Sequence, residues 1–221
     1  MNPNITVKGI GRVSAPPDRV VLSLGLEALD KQYETAMETA ADNIDRLTAA
    51  LTEAGFEKDA LKTANFTVRT DYTGVQREDG RYEQVFNGYA VRHDLKVTFD
   101  LDPRRLSAAL AAIGGCLAHP DLSVTFTVKD PTAIGEEMLR SAAENARQKA
   151  LVLCAASGVT LGDLVAIHYN WEELNIVSNT RYALAEDCLA APMMAKSISI
   201  CPEDIDLTDT ATFVWKIKGG N

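Results

Sequence analysis

The sequence predicts an α+β protein in which antiparallel β-hairpins form a sheet and about three helices pack on it. Two observations carry this prediction. Apolar residues alternate with period 2 in several segments, and the period changes to 3.6 in three segments between them. Antiparallel strands interleaved with helices are typical of α+β folds. The predicted order is ββ-α-ββ-α-β-α-β-β, and we expect a single domain over residues 1–221.

The first two strands are predicted to pair as a hairpin across the Ala15-Pro16-Pro17-Asp18 turn. Their alternating residues are Ile5, Val7, Gly9, Gly11 and Val13, followed by Val20, Leu22, Leu24 and Leu26. A second pair is expected around Phe66 and Val68 and over residues 85–99, joined by a polar loop that contains Glu78-Asp79-Gly80. The longer alternation runs through Val85, Asn87, Tyr89, Val91, His93, Leu95, Val97 and Phe99. Further strands are expected at residues 122–128, 164–171 and 211–217.

Each of the three helical segments has an apolar stripe and ends at glycine, which is the usual helix stop. The first stripe is Met37, Ala41, Ile44, Leu47 and Leu51, before Gly55. The second is Leu106, Ala109, Leu110 and Ile113, between Asp102-Pro103 and Gly114-Gly115. The third is a small-residue stripe of Leu139, Ala142, Ala146, Ala150 and Leu153, before Gly158. We expect the alanines of the third helix to form its tightly packed face.

Residues 172–202 show no periodicity, although they contain large apolar side chains such as Leu184, Leu189, Met193 and Met194. Aperiodic stretches of this length are uncommon inside compact domains and are often functional. Two interpretations stay open: the segment folds onto the core of its own domain, or it forms a contact between subunits. Under the second interpretation these four residues are the candidate oligomer contact.

Composition and chain ends exclude several classes of protein. The chain has 22 Lys and Arg against 31 Asp and Glu, a formal charge of −9, so we expect no nucleic-acid partner. No run approaches the roughly 18 apolar residues of a membrane-spanning helix.

The N-terminus shows no secretory signal, which predicts a cytoplasmic protein, or a periplasmic or exported one if the chain is trimmed. Cys116, Cys154, Cys188 and Cys201 are expected to be buried thiols, with two disulfides left open for an exported protein.

No pattern in the sequence indicates a catalytic, cofactor or metal site. Gly9-Ile10-Gly11 lacks the third glycine and the following helix of a dinucleotide-binding loop, so the glycines are interpreted as allowing a bulge or a close backbone approach in a strand. His93, His119 and His168 have no metal-ligand spacing, and the strand register of His93 predicts a buried imidazole. The motifs of serine hydrolases, phosphate-binding loops and zinc proteases are absent from the sequence.

Four stretches of the chain together resemble the SIMPL-domain family, which includes bacterial periplasmic immunogenic proteins. They are Ile5-Thr-Val-Lys-Gly-Ile-Gly with Pro17-Asp18, Gly88-Tyr89 before an alternating strand, Ala146-Arg-Gln-Lys-Ala-Leu-Val-Leu-Cys-Ala-Ala-Ser-Gly-Val-Thr-Leu-Gly162, and Ile200-Cys-Pro-Glu-Asp-Ile-Asp-Leu. The last stretch departs from the family pattern, because Glu203 stands where a glycine usually follows the proline. The resemblance implies an α+β domain, homo-oligomers and a role in envelope or oxidative-stress physiology. It supplies no catalytic residues.

The leading hypothesis is therefore a non-catalytic, self-associating protein with an accessory, stress-related role and no cofactor. The partner that we expect is a second copy of itself, and the sequence identifies no other protein partner. The alternatives are a small-ligand-binding protein or an undescribed enzyme with a cleft at residues 172–202, or a thiol-based redox protein. A deep pocket with converging polar groups would favour the cleft, and an exposed cysteine beside a positive charge would favour redox chemistry.

Overall fold

A computed structural model describes residues 3–77, 80–170, 175–180, 182–184 and 200–219. Its strands are β1 (Asn4–Ala15), β2 (Arg19–Asp30), β3 (Leu61–Gln76), β4 (Tyr82–Asp100), β5 (Asp121–Thr127), β6 (Val159–His168), β7 (Tyr182–Leu184) and β8 (Ile205–Gly219). The helices are α1 (Tyr33–Glu53), α2 (Pro103–Gly114) and α3 (Pro131–Ala156), with a short 3-10 helix at Lys58–Ala60. The predicted α+β class and element order are confirmed. None of the helices within the described ranges is long and apolar enough to cross a membrane.

The strands form two antiparallel sheets that belong to two compact units. Unit 1, which holds described residues 3–18, 127–170, 175–179 and 202–219, contains α3 and a three-stranded sheet of order β1-β8-β6. Unit 2, which holds residues 19–77, 80–126, 180, 182–184 and 200–201, contains α1, α2 and a five-stranded sheet of order β3-β4-β2-β5-β7. The two units are defined by how the chain packs, which does not test the single-domain expectation, so that expectation stays a prediction.

The predicted hairpin between the first two strands is wrong, although both strands exist. β1 pairs with β8, with Ile5 opposite Trp215, and β2 pairs with β4, with Leu24 opposite Leu95. The Pro16-Pro17 connection explains the difference. Two consecutive prolines fix φ near −65° and remove two backbone donors, so this connection cannot form the tight turn that antiparallel neighbours need.

In unit 1 the helix α3 packs directly on β1 because β1 has glycine where the two elements meet. A Cβ on Gly9 would collide with the carbonyl oxygen of Ala142, and a Cβ on Gly11 with that of Met138. Of the two reasons predicted for these glycines, the structure shows the close backbone approach, and the β1–β8 register has no bulge. Ala142, Ala146 and Ala150 are buried as expected. By contrast Leu139 and Leu153, the ends of the predicted stripe, are exposed, because Met138 and Cys154 complete the buried face one residue away.

The outer edge of β1 is covered by polar side chains of α3. Asn145 Oδ1 accepts a hydrogen bond from the Ile10 amide at 3.0 Å, and Ser141 Oγ accepts one from the Arg12 amide at 3.2 Å. Lys149 Nζ donates to the Lys8 carbonyl at 3.1 Å. These three side chains are spaced four residues apart, so one stripe of the helix satisfies alternate backbone groups of the strand.

In unit 2 the core lies between the five-stranded sheet and the helices α1 and α2. The α2 stripe predicted from the sequence is buried, and Asp102 caps that helix by accepting a hydrogen bond from the Arg104 amide at 2.8 Å. The α1 stripe is correct at Leu47 and Leu51. In its first turns the helix buries Ala36 and Ala40 instead of Ala41. A straight helix has 3.6 residues per turn, so its buried face shifts away from positions that repeat every 3.5 residues.

Two boundaries in the C-terminal part differ from the prediction. β6 begins at Val159, five residues before the predicted start at residue 164, because Gly158 at φ +69° ends the preceding turn and pairing with β8 starts at once. Residues 172–202 are not uniformly aperiodic, since β7 pairs with β5. Ile176 is buried against Val128 and Ile205 in unit 1, so this part of the segment folds onto its own core.

Candidate functional site

The β3–β4 hairpin carries a large group of exposed apolar side chains in unit 2. Near its base β4 is buried in the core, with Val91, Leu95 and Val97 almost fully covered. Toward its tip both strands are exposed along their length. Its exposed large apolar residues are Phe66, Tyr72, Val75, Tyr82, Val85 and Phe86, with exposed fractions of 40–77%. The register places Phe66, Tyr72, Tyr82 and Phe86 on one face of the ribbon and Val75 and Val85 on the other. Apolar side chains grouped in this way mark a surface suited to a partner.

Four aromatic side chains of this hairpin and of α1 form a continuous row. Tyr72 contacts Phe86 with ring centroids 5.9 Å apart, Phe86 contacts Tyr89 at 5.4 Å, and Tyr89 contacts Tyr33 at 5.6 Å. All three contacts are edge-to-face, the favourable geometry for such rings. We call Tyr33, Tyr72, Phe86 and Tyr89 the aromatic row. Because each ring is held by its neighbour, the row presents a pre-ordered surface.

A β-bulge at Asn87 brings these rings onto one face. Asp71 lies opposite Gly88 and Tyr72 lies opposite Phe86, so Asn87 is an extra residue in β4. Its amide donates to Asp71 Oδ2 at 2.8 Å. In a regular strand, side chains three residues apart point to opposite faces, and the bulge reverses this for Phe86 and Tyr89. The predicted regular alternation from Val85 onward is therefore wrong on the tip side of Asn87.

Ion pairs and hydrogen bonds lie near the base of the same hairpin. Arg69 reaches Glu27 at 3.4 Å, and Arg92 Nε donates to Asp94 Oδ1 at 3.0 Å. Asp94 also accepts a hydrogen bond from Asn65, which is the largest cause of the lowering of its pKa, and Arg92 adds to that lowering. These groups are well exposed, so each pair contributes little to stability. They give the hairpin a polar surface in addition to the apolar one.

His93 lies at the base of the hairpin and is 8% exposed, which confirms the predicted buried imidazole. Its Nε2 hydrogen-bonds with the Thr63 hydroxyl at 2.8 Å, and its ring meets Phe66 edge-to-face at 5.2 Å. Its Nδ1 is buried without a hydrogen-bond partner among the described residues. Burial lowers the pKa of His93, and the nearby Asp94 carboxylate opposes that effect. The arrangement favours a neutral ring.

Within the described part of the chain, the other histidines and the cysteines do not come together in one site. His119 is exposed in a turn and His168 is exposed at the end of β6. Cys116 and Cys154 are buried thiols as expected, but the expectation is wrong for Cys201, which is exposed. Cys188 lies outside the described residues. Over the ranges that the structure covers, no three His, Cys, Asp or Glu side chains are grouped to hold a metal ion.

The predicted oligomer contact falls mostly outside the described residues. Leu189, Met193 and Met194 are among the residues not described. For Leu184 the structure gives the backbone alone, at the end of β7 and opposite Leu122 of β5. β7 is the last strand of the five-stranded sheet, so Leu184 lies at a sheet edge. A shallow depression of about 350 Å³ on unit 2 lies elsewhere, over Gly25 and between Arg92, Lys96 and Asp121.

Sequence reasoning missed the aromatic row. The signal that could have found it is the density of aromatic residues on two strands predicted to pair, with Tyr72 on one and Phe86 and Tyr89 on the other. This signal was overlooked because a strand with regular period-2 alternation would place Phe86 and Tyr89 on opposite faces.

Comparison with known proteins connects this chain to one family. A family model described as "SIMPL: Protein of unknown function (DUF541)" matches residues 5–215. The chain is 29% identical over 173 residues to the 26 kDa periplasmic immunogenic protein of Brucella melitensis biotype 1, covering 74% of this chain and 65% of that protein. The protein of the same name from Brucella abortus strain S19 matches with the same identity and coverage. The chain thus spans about 65% of the length of these relatives. Because both are named periplasmic, they contradict the predicted cytoplasmic location.

Proposed function

The chain belongs to the SIMPL family of proteins of unknown function, and on that premise we propose that it is a non-catalytic, self-associating protein of the periplasm with an accessory role under stress. The single observation that carries the self-association is the exposed apolar surface of the β3–β4 hairpin. The periplasmic location follows from the names of the two Brucella relatives. The stress-related role follows the family resemblance.

The hairpin gives the chain an energetic reason to self-associate. A two-stranded ribbon is marginally stable on its own, because it has no second layer on which to bury its side chains. Tyr72, Val75, Val85 and Phe86 are all at least 40% exposed in this ribbon. Burying a large apolar side chain completely contributes about 1.5–3 kcal/mol. Burial of several of them therefore offsets part of the translational and rotational entropy that is lost on association.

A second contribution is assigned to residues 172–202. Leu184, Leu189, Met193 and Met194 are the side chains that we expect to contact a neighbouring subunit. Two features support this. Among the described strands, β7 (Tyr182–Leu184) is the outermost of its sheet, and an edge strand can pair with another chain. Methionine adapts its shape to such surfaces better than branched residues do.

Light scattering coupled to gel filtration at micromolar concentration tests the self-association. The expected result is a mass that is a multiple of 23.9 kDa. The double variant Tyr72→Ser/Phe86→Ser should shift the protein toward the monomer. Leu117→Ser is the matched control, because Leu117 is 73% exposed in unit 2 but lies outside the hairpin. A mass near 23.9 kDa at all concentrations contradicts the proposal.

The two remaining parts of the proposal need separate measurements. Changing Leu189, Met193 and Met194 to serine together should weaken the oligomer. An unchanged oligomer contradicts only the proposed contact of residues 172–202 and not self-association itself.

A deletion strain exposed to peroxide tests the stress-related role. Growth equal to that of the parent strain under peroxide contradicts it, whatever the oligomeric state.

A further inference from the structure

β3 forms an outer edge of the five-stranded sheet, and no described strand lies beyond it. It runs from Leu61 to Gln76, and its own extra residue is Ala64, between the paired positions Thr63 and Asn65. From Asn65 onward the strand continues to Gln76 without a further insertion of its own. Such an exposed edge offers a row of backbone donors and acceptors to another strand.

A second copy of the same strand is the occupant with the simplest geometry. When two identical antiparallel strands pair about a two-fold axis, one residue lies opposite its own copy, and residues at equal distances from it are matched. The choice of that central residue fixes every other pair. The uninterrupted part of β3 runs from Asn65 to Gln76, and Thr70 is one of its two central residues.

The charges of β3 select Thr70 as the centre. With Thr70 opposite Thr70 of the second copy, Arg69 faces Asp71, and the symmetry repeats this pair. A centre at residue 69 places two arginines opposite each other, and a centre at residue 71 places two aspartates opposite each other. Directly opposed like charges destabilise a sheet, whereas opposite charges stabilise it. Centres at residues 68 and 72 give neither Arg69 nor Asp71 a charged partner.

The uncharged pairs agree with the same centre. Val68 faces Tyr72 and Thr67 faces Thr73, both of which are favourable cross-strand combinations. Phe66 faces Gly74, and a Cβ placed on Gly74 meets no atom within 4 Å, so there is open space for an aromatic ring over this glycine. Phe66 and Tyr72 are 45% and 53% exposed in the single chain, so both have area to bury.

We infer that β3 pairs antiparallel with β3 of a second copy, with Thr70 opposite Thr70 and Arg69 opposite Asp71, which joins two five-stranded sheets into one. This rests on the proposed self-association and adds the element, the symmetry and the register through which it occurs. Backbone hydrogen bonds along the edge supply the attraction, and the two Arg69–Asp71 pairs fix the register.

Disulfide cross-linking tests the register directly. In a background in which Cys188 and Cys201 are changed to serine, Thr70→Cys should form a disulfide-linked dimer under mild oxidation, because paired residues have Cα atoms about 4.5–5.5 Å apart. Thr67→Cys is the matched control and should stay monomeric on a non-reducing gel, since residues 67 of the two copies are separated by about 20 Å. The double variant Thr67→Cys/Thr73→Cys should cross-link again.

Charge exchange tests the same pairing without cysteine. Arg69→Asp and Asp71→Arg should each raise the dissociation constant by roughly 10- to 100-fold, because two attractive pairs become repulsive. The double variant Arg69→Asp/Asp71→Arg should return to within about threefold of the parent. Glu27→Gln removes the partner that Arg69 has within its own chain, and it should leave the dissociation constant unchanged.

The outcomes separate this inference from the proposed function. An oligomer in which Thr70→Cys does not cross-link, or in which the charge exchange fails to restore association, overturns the inference and leaves self-association in place. A parent protein that is monomeric by light scattering overturns both. Cross-linking of Thr70→Cys together with restoration by the double variant supports the register.

Discussion

Replacement of Gly9 by alanine should destabilise unit 1 strongly, because α3 crosses β1 at this position. The added Cβ would collide with the carbonyl oxygen of Ala142 and with the Cβ of Ala146. A helix carbonyl cannot rotate away as a side chain can, so relief requires α3 to move off the strand. Overpacking costs about 1–3 kcal/mol, and a backbone obstacle places this variant at the upper end of that range. For a chain of this length, the melting temperature should fall by about 4–12 °C.

Urea unfolding measures this effect in a Trp171→Phe background, where Trp215 is the remaining tryptophan. Trp215 is buried beside Ala146 and Ala150, so its fluorescence reports on the contact between helix and sheet. Gly135→Ala is the matched control, because Gly135 lies in α3 with nothing within 4 Å of the added Cβ. That variant should gain about 0.5–1 kcal/mol from helix propensity. An unchanged midpoint for Gly9→Ala would refute the close packing of α3 on β1.

Three further predictions concern packing, pH and metal content. Ala146→Leu and Ala150→Leu should each lower the unfolding free energy by about 1–3 kcal/mol, whereas Val152→Leu on the exposed side of α3 should not; equal midpoints for all three contradict the buried stripe. Because burial holds the pKa of His93 below its ordinary value of 6.5, the unfolded chain takes up the proton first, and stability should fall as the pH drops below about 6.5. His93→Gln should flatten urea midpoints measured from pH 8 to 5, and a parent slope equal to that of the variant contradicts this. After extensive dialysis the purified protein should contain no stoichiometric transition metal, and elemental analysis giving about one zinc or iron per chain would show this to be wrong.

The strands and helices were predictable because their signals are local. Alternation in β4 from Val91 to Phe99 and the α2 stripe from Leu106 to Ile113 each depend on burial of one face of one element. Strand pairing is not local in this sense. β1 carries the same alternation whether its partner is β2 or β8, so the hairpin prediction had no information about the C-terminal strand.

The candidate site was less predictable than the fold for a related reason. The bulge at Asn87 is one extra residue, and a single insertion reverses the faces of all residues on the tip side of it. Period analysis assumes a regular strand and therefore separates Phe86 from Tyr89. His93 was placed correctly because it lies on the base side of the bulge, where the alternation is unbroken.

We expect the pairing of β1 with β8 to form late in folding, because the two strands lie at opposite ends of the chain. Ile5 can pair only after Trp215 has been synthesised. Bringing these two residues together closes a loop of about 210 residues, which costs roughly 5 kcal/mol of chain entropy. Unit 2 consists largely of residues 19–126, which leave the ribosome well before β8 does. When β2 and β5 become neighbours in its sheet, they bring the flanking residues together, and the Asp18 amide then donates to the Thr127 carbonyl at 3.1 Å. Formation of unit 2 therefore lowers the entropy cost of forming unit 1. Mutations that slow the formation of unit 2 should delay the burial of Trp215 as well.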